Sequence, residues 1–420
     1  MGRVWLARDT VFGRDVALKE IRPERAAEPA SQMRFIREAQ ITGLLEHPGV
    51  VPVYDMDRRT SEGTAFYTMR FVGGRTLTRA VEDYHRRRES GEDVSLDLSA
   101  LLHAFVVVCN TLGYAHARGV IHRDLKGGNV VLGDFGEVVV LDWGLAKLLC
   151  SGAEQSTTGV NSDEAAGPEL TLLGEVLGTP AYMAPEQVEG LSERIDVRTD
   201  IYGLGAILYH ILTGRPPFTG AGTAEILRRV REDEPTPPRQ LCPDIAAGLD
   251  AICLRALAKK PEHRYAAAKE LADAVQLWQE AERRKAEEAL RASELQYRSL
   301  ADLIPGVVWT AQADGSIDYA NRYWFTFSGM TWEQTQGNGW AACLHPDDLP
   351  RTIQSWTTAL QTGEPYEIEY RLKRAADGAY RWFLAQARPL RNAEGQVVKW
   401  FGMLTEIEDR VHARKRVEPT

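Results

Sequence analysis

The feature that most constrains this chain is a set of charged residues that occur in a fixed order, each beside an apolar run. Lys19 lies in the strand-like stretch VALK, and Glu38 follows nineteen positions later in a segment with helical spacing. Two further motifs, HRDLKGGN (122–129) and LDWG (141–144), each follow β-branched residues. Any one of these residues alone is usually a solvated surface group. Their order and spacing therefore carry the argument about function.

Residues of these types suit the transfer of a phosphoryl group, which needs cations against the phosphates, a positioned acceptor hydroxyl and metal ligands. A strand lysine can reach the phosphates, and a helix glutamate can hold that lysine forward. An aspartate can accept the proton of the attacking hydroxyl, and amide and carboxylate oxygens suit Mg²⁺. The sequence predicts catalytic roles for Lys19, Glu38, Asp124 and Lys126, and metal ligation by Asn129 and Asp142.

Size and composition argue against several classes of protein. With 420 residues, the chain has room for two or three domains. Its net charge of −9 gives no electrostatic reason to expect nucleic acid or an anionic membrane as a partner. The five cysteines form no C-x-x-C pair, which disfavours a zinc site or a disulfide framework and favours a reducing, cytoplasmic location. No run is predicted to span a membrane, because the most apolar stretch, 201–214, has the length of a buried core helix.

Hydrophobic spacing gives a coarse secondary structure for the first 268 residues. Residues 1–75 alternate strand-like runs with one helical segment, SQMRFIREAQITGLLEH (31–47), and residues 76–268 are mostly helical. The apolar positions that fall at helical spacing in this segment are Met33, Ile36, Ile41, Leu44 and Leu45.

Over residues 1 to about 268 the sequence resembles a eukaryotic-type (Hanks-type) serine/threonine protein kinase of the kind common in bacteria. The matching motifs occur in family order: VALK, REAQ, EHPGVVPVYD, VIHRDLKGGNVVL, LDWGLAK, GTPAYMAPEQ, RTDIYGLGAILYHILTGRPPF and KKPEHRY. The resemblance implies an α+β, bilobal fold, with a small β-rich lobe over 1–70 and a helical lobe over 75–268. It also implies ATP and Mg²⁺ or Mn²⁺ as cofactors, and proteins with serine or threonine hydroxyls as substrates.

The same resemblance implies roles for further residues. The implied ATP-binding residues are Gly2, Val4, Ala17, Lys19, Met69, Phe71, Val72 and Val131. Among them, Met69 would be the gatekeeper, and Phe71 and Val72 would form the hinge. Architectural roles are implied for Glu186, which would pair with Arg264, and for Asp200, which would brace the catalytic loop. Lys126 together with Thr179 resembles serine/threonine rather than tyrosine kinases. Autophosphorylation is expected in the activation loop, where the candidate sites are Ser156, Thr157, Thr158, Ser162 and Thr171, with Thr179 following.

Three positions depart from the family pattern. Gly127 stands where the family usually has proline, which is expected to loosen the catalytic loop. Trp143 replaces the usual phenylalanine and is expected to pack in its place. Of a G-x-G-x-x-G-x-V loop only Gly2 and Val4 are present and no strand precedes them. We therefore expect a small lobe that lacks its first strand, a truncated glycine-rich loop and weakened nucleotide binding.

A long helix is predicted between two halves of the chain. Residues 266–300 contain neither glycine nor proline and are dense in strong helix formers. The first half carries an apolar stripe, and the later stretch EAERRKAEE is charged nearly all round. The linker, residues 269–300, is therefore either a solvated spacer or a parallel coiled coil that joins two protomers.

Residues 301–409 resemble a PAS domain with a trailing PAC region, an α/β fold with an antiparallel sheet. Aromatic strand-like runs such as YEIEYRLKR and YRWFLAQARPLR are separated by ADGS, ADGA and NAEGQ turns, with a helical middle over 323–360. The ligand of this domain is left open, and binding no ligand at all is one alternative. Its aromatic residues, Trp309 and Trp324 among them, are interpreted as core rather than as a cofactor cage. Residues 410–420 are predicted to form a charged helical tail.

Three functions remain open on this evidence. The first is a serine/threonine kinase that acts in signal transduction and is regulated by its PAS domain through the linker helix. The second is an ATP-binding pseudokinase or scaffold that reports the state of the PAS domain to a partner. The third is dimerisation by the PAS domain, with the kinase part as a fragment without function. A homodimer through the linker helix and the PAS domain is compatible with each.

Overall fold

The structure, a computed structural model, describes residues 2–58, 65–149 and 179–411. The chain divides into two units, Met1–Arg283 and Arg284–Thr420. Each unit has its own hydrophobic core, and each is described by itself.

The strand-like runs at the start of the chain form an antiparallel sheet in the order β1-β2-β4-β3. Its strands are β1 (Gly2–Asp9), β2 (Arg14–Ile21), β3 (Val53–Arg58) and β4 (Ala65–Arg70). The short helix α1 (Pro23–Ala26) and the longer α2 (Pro29–Leu44) connect β2 to β3. Helix α2 packs on the sheet, because Phe35 and Ala39 share one core cluster with Ile21 and Tyr67.

The face that α2 buries differs at two positions from the apolar positions at helical spacing. Met33 and Leu44 are exposed, whereas Phe35, Glu38 and Ala39 are buried. The prediction counted only apolar residues, but Glu38 is buried because its carboxylate accepts a hydrogen bond from Lys19 on the sheet. Glu38 therefore lies on the same buried face of the helix as Phe35 and Ala39.

The second lobe of the first unit is mainly helical. Its helices are α3 (Leu77–Glu89), α4 (Ser95–Ala117), α5 (Pro185–Val188), α6 (Val197–Thr213), α7 (Thr223–Glu232), α8 (Pro238–Leu241) and α9 (Ala247–Ala256). Short strands form two small sheets, β5-β7-β8 and β6-β9. These strands are β5 (Arg75–Thr76), β6 (Val120–Ile121), β7 (Val130–Leu132), β8 (Val138–Val140) and β9 (Lys147–Leu148). A small β-rich lobe followed by a helical lobe is the α+β arrangement predicted for this part of the chain.

Helix α4 was not singled out in the sequence, although it is long and apolar enough to cross a membrane; among the described helices it alone is so. More than half of its most apolar window, 56%, is buried inside the protein. Phe105, Val108 and Leu112 belong to the main core cluster together with residues of α6. The apolar composition of α4 is that of a core helix.

The predicted long helix is present as α10 (Ala268–Leu303), a single element of 36 residues. Its buried residues all lie in its first turns, where Leu271, Ala272 and Val275 join the core of the first unit. Leucines farther along the helix, including Leu290 and Leu295, are exposed.

The second unit is a five-stranded antiparallel sheet in the order β11-β10-β14-β13-β12, covered by helices. The strands are β10 (Val307–Gln312), β11 (Ile317–Ala320), β12 (Tyr366–Lys373), β13 (Tyr380–Arg391) and β14 (Val397–Glu406). The helices between β11 and β12 are α11 (Arg322–Ser328), α12 (Trp332–Thr335) and α13 (Leu349–Thr362). The predicted antiparallel sheet with a helical middle is therefore confirmed.

Tryptophan dominates the core of this second unit. The Trp356 ring packs edge-on against Trp309 and Trp400, with ring centroids 5.6 and 5.2 Å away. A cavity of about 40 Å³ lies beside this cluster and is lined in part by Trp309, Trp324 and Trp340. Trp309 and Trp324 are buried core residues, and they also form part of the cavity wall.

Candidate active site

A cleft of about 620 Å³ opens in the first unit between the β-rich lobe and the helical lobe. Most of the residues implied to bind ATP line it; these are Gly2, Val4, Ala17, Lys19, Met69, Phe71 and Val72. Asp124, Asn129 and Asp142 line the same cleft. Val131, implied as its floor, is buried on β7 and is not among the lining residues that the described part of the chain contributes.

Lys19 is held between two carboxylates at the back of this cleft. Its Nζ donates to Glu38 Oε1 and to Asp142 Oδ1, the latter at 3.2 Å. Burial alone would lower the pKa of Lys19, but the charges of Glu38 and Asp142 outweigh it and raise the pKa. Desolvation would likewise raise the pKa of Asp142, and the Lys19 ammonium instead holds it below its usual value. Lys19 and Asp142 are therefore both charged at neutral pH, with the Lys19 cation directed at the cleft.

The loop after β6 brings the other candidate catalytic residues together. Lys126 Nζ lies 3.0 Å from Asp124 Oδ2, and Asn129 Nδ2 donates to the Asp124 backbone carbonyl at 2.9 Å. Gly127 packs closely against α3, where an added Cβ would lie 2.7 Å from Thr78 Oγ1. At this position the absence of a side chain gives close packing between the loop and α3.

Asp200 on α6 fixes the backbone of this loop from below. Its carboxylate accepts hydrogen bonds from the backbone amides of His122 and Arg123, each at 2.8 Å. His116 Nε2 lies 2.8 Å from the same carboxylate. Arg123 and Asp142 have positive φ angles of 66° and 62°, which are unfavourable for residues with a side chain. Such strain persists only where the surroundings enforce it, as the buried Asp200 contact does for Arg123.

Trp143 follows the candidate metal ligand Asp142 and anchors its segment in the core. The indole is 1% exposed, and its ring lies 4.7 Å from that of His122. Its Nε1 has no hydrogen-bond partner among the described residues. Trp143 thus occupies an apolar site, as its replacement of a phenylalanine predicts.

Glu186 and Arg264 form a buried, bidentate ion pair. Arg264 Nη1 and Nη2 donate to the two Glu186 oxygens at 2.7 and 2.9 Å. This pair joins α5 to the segment before α10, and neither residue lines the cleft, so it stabilises architecture rather than chemistry.

The predicted phosphorylation sites fall mostly outside the described residues. Ser156, Thr157, Thr158, Ser162 and Thr171 all lie in the interval 150–178, which the structure does not describe. Thr179 precedes the short turn Pro180–Tyr182. Nearby, Gln187 Nε2 donates to the Arg123 carbonyl at 2.8 Å, which joins this segment to the catalytic loop.

Several residues of the cleft were not predicted from the sequence. These additional lining residues include Thr42, Val51, Tyr67, Leu141, Gly144 and Leu145. One signal could have found Tyr67: strand residues two apart share a face, and Tyr67 is two positions before Met69. The contact of Tyr67 with α2 depends on tertiary packing and has no such local signal.

Comparisons with known proteins match both parts of the chain. The family profile of the protein kinase domain matches residues 1–290, and that of the PAS fold matches residues 317–404. The serine/threonine-protein kinase PknD of Protochlamydia amoebophila is 35% identical over 277 residues, or 64% of this chain and 28% of that protein. PknB of Mycobacterium leprae is 37% identical over 274 residues, 64% of this chain and 40% of that protein. The crystal structure of a point mutant of the PknI kinase domain of Mycobacterium tuberculosis is similar at a TM-score of 0.46 and 28% identity, over 66% of this chain and 90% of that one.

The chain spans less than half the length of these PknD and PknB relatives. The kinase profile nevertheless covers more than half of the chain and includes every residue of the cleft. The PAS profile falls within the second unit. This chain therefore belongs to the protein kinase family and carries a PAS domain after its kinase domain.

Proposed function

We propose that this chain is a serine/threonine protein kinase that transfers the γ-phosphoryl group of ATP to protein hydroxyls, including those of its own activation loop. The observation that carries the proposal is that Lys19, Glu38 and Asp142 meet in one cleft that Asp124 also lines. We further propose that the PAS domain regulates this activity through α10, in the cytoplasm.

In this proposal each charged residue has one task. Lys19, fixed by Glu38, contacts the phosphates, and Asp124 accepts the proton of the attacking hydroxyl. Lys126, 3.0 Å from the Asp124 carboxylate, neutralises the phosphoryl group as it moves. Such a site works by positioning and by charge stabilisation, since phosphoryl transfer needs little covalent help from the protein.

The donor set of the cleft fits a divalent cation. The Asp142 side chain is 49% exposed, so its carboxylate is accessible from the cleft. Asn129 donates its amide hydrogen to the Asp124 carbonyl, which leaves the amide oxygen as its ligand atom. Oxygen ligands of these two kinds suit Mg²⁺ or Mn²⁺, which when bound would offset the negative charge of the phosphates.

The full chain incubated with radiolabelled ATP and Mg²⁺ is expected to label itself, with phosphopeptides mapping to residues 156–179. Chelation of the metal with EDTA should abolish the labelling, because Asn129 and Asp142 then have no cation to hold against the phosphates. Readdition of Mg²⁺ or Mn²⁺ is the control and should restore it. Nucleotide binding without transfer to the chain or to a protein substrate would instead favour the pseudokinase alternative, and labelling in EDTA would contradict the metal site.

A second proposal is a homodimer through the distal part of α10. Leu290 and Tyr297 lie seven residues apart in this helix and are 62% and 71% exposed. This spacing is typical of the seam of a coiled coil. It favours the coiled-coil interpretation of the linker over the solvated spacer.

Light scattering is expected to give the mass of a dimer for the full chain and of a monomer for the variant Leu290→Glu/Tyr297→Glu. Carboxylates at two seam positions would be desolvated without partners in the dimer. Leu277→Glu is the matched control, because Leu277 is equally exposed but lies off the seam. A monomeric wild type at high micromolar concentration would contradict this proposal.

A further inference from the structure

Tyr67 lies at the centre of β4, directly across from Lys19 of β2 in the antiparallel register. Directly opposed residues on neighbouring strands project from the same face of a sheet. Tyr67 is only 2% exposed, and its side chain lies with that of Lys19 against helix α2.

The hydroxyl of Tyr67 meets the residue that holds Lys19. It donates to Glu38 Oε1 at 2.8 Å, the same oxygen that accepts from Lys19 Nζ. Two donors from adjacent strands therefore hold one carboxylate oxygen of α2. The ring of Tyr67 packs on Phe35, with centroids 5.2 Å apart, one helical turn before Glu38.

The two contacts of Tyr67 have separable roles. The ring packs against α2 whether or not a hydroxyl is present, whereas only the hydroxyl contacts the carboxylate. Burial and the charge of Glu38 both raise the pKa of Tyr67, so the hydroxyl stays protonated and remains a donor.

The position of Lys19 depends on this hydroxyl because Lys19 has a second acceptor. Asp142 Oδ1 lies 3.2 Å from Nζ and competes with Glu38 for the ammonium. Removing the Tyr67 hydroxyl takes away one of the two donors that fix Glu38 Oε1. Lys19 then remains the only one of these two donors on Glu38 Oε1, and we expect Glu38 to be less fixed and Lys19 to spend more time at Asp142.

We propose that Tyr67 is a positioning residue of this kinase, whose hydroxyl holds Glu38 and α2 so that Lys19 faces the nucleotide. The inference rests on the proposed function and adds to it a residue that acts through Glu38.

The test compares Tyr67→Phe with Tyr209→Phe in the full chain. Tyr209 on α6 is equally buried and donates its hydroxyl to the Thr236 carbonyl at 2.9 Å, so both variants lose the same buried atom. Tyr67→Phe is expected to lower kcat/KM for Mg-ATP about tenfold, the scale of one hydrogen bond to a charged group. The KM for the protein substrate should stay within twofold, and Tyr209→Phe should leave both values within twofold.

A double-mutant cycle decides whether Tyr67 acts through Glu38. In a Glu38→Gln background, Tyr67→Phe should change kcat/KM by less than twofold, because the charged acceptor is already gone. An equal tenfold loss in both backgrounds, or a loss of less than twofold in the wild-type background, would overturn the inference.

Direct binding of Mg-ATP, measured by calorimetry on the same proteins, separates this inference from the proposed function. A wild type that binds Mg-ATP but transfers no phosphoryl group would end the kinase proposal. The inference would then stand on a severalfold weaker Kd for Tyr67→Phe, and would fail if Tyr67→Phe bound as tightly as wild type. A wild type that binds no Mg-ATP would overturn both.

Discussion

Asp124→Asn is expected to reduce phosphoryl transfer by about 10²- to 10⁴-fold, the range that general-base catalysis contributes. The substitution keeps the shape of the side chain and removes the carboxylate that we propose accepts the proton of the attacking hydroxyl. The loop should keep its conformation, because Asp200 accepts hydrogen bonds from its backbone amides and Asn129 donates to the backbone carbonyl of residue 124. The measurement is incorporation of label from ATP into the chain and into a general protein substrate.

The matched control for this experiment is Asp244→Asn. Asp244 is an aspartate of the same unit whose side chain is 89% exposed and pairs with Arg88 at the surface. Its variant should retain activity within twofold. Equal labelling by wild type and Asp124→Asn would contradict Asp124 as the base, and equal Kd values for Mg-ATP in the two proteins would show that the nucleotide site is intact.

Much of the fold and of the cleft could be predicted because polar residues inside apolar runs stand out in a sequence. Asp142 interrupts VVVLDWG, and Lys19 interrupts VALK, so both were identified although they lie 123 positions apart in the chain. The second sheet could be predicted for a related reason. Its strands alternate in pattern and are separated by Asp-Gly and Glu-Gly turns, which are local signals.

What the sequence did not reveal depends on tertiary packing. The apolar spacing in α2 includes Met33 and Leu44, which are exposed, and leaves out Glu38, which is buried beside its partner Lys19. The contact of Tyr67 with Glu38 joins a strand to a helix across 29 positions. The spacing of residues in one element carries no information about such a contact, which depends on how that element packs on another.

Loss of the buried arginine in the Glu186–Arg264 pair is expected to destabilise the first unit by about 3–5 kcal/mol, the usual cost of leaving a buried charge without its partner. The Arg264 side chain is 0% exposed and the Glu186 side chain is 4% exposed. Arg264 also donates to three backbone carbonyls, those of Ala258, Arg198 and Lys259. Arg264→Met should therefore lower the midpoint of the first unit's calorimetric transition by roughly 6–20 °C.

The control is Arg228→Met, which breaks an exposed pair with Glu232 on α7 and should cost less than about 1 kcal/mol. A shift for Arg264→Met no larger than that control would contradict the prediction.

The double variant Arg264→Met/Glu186→Leu distinguishes an unpaired buried charge from lost packing as the cause. With both charges removed, apolar side chains of similar volume can recover part of the stability, as replacements of buried ion pairs often do. Recovery should be incomplete, because the three carbonyls that Arg264 satisfies, and Thr199 Oγ1, which donates to Glu186 at 2.9 Å, lose their partners. A double variant less stable than Arg264→Met alone would mean that the hydrogen-bond network, rather than the paired charge, provides most of the stability at this site.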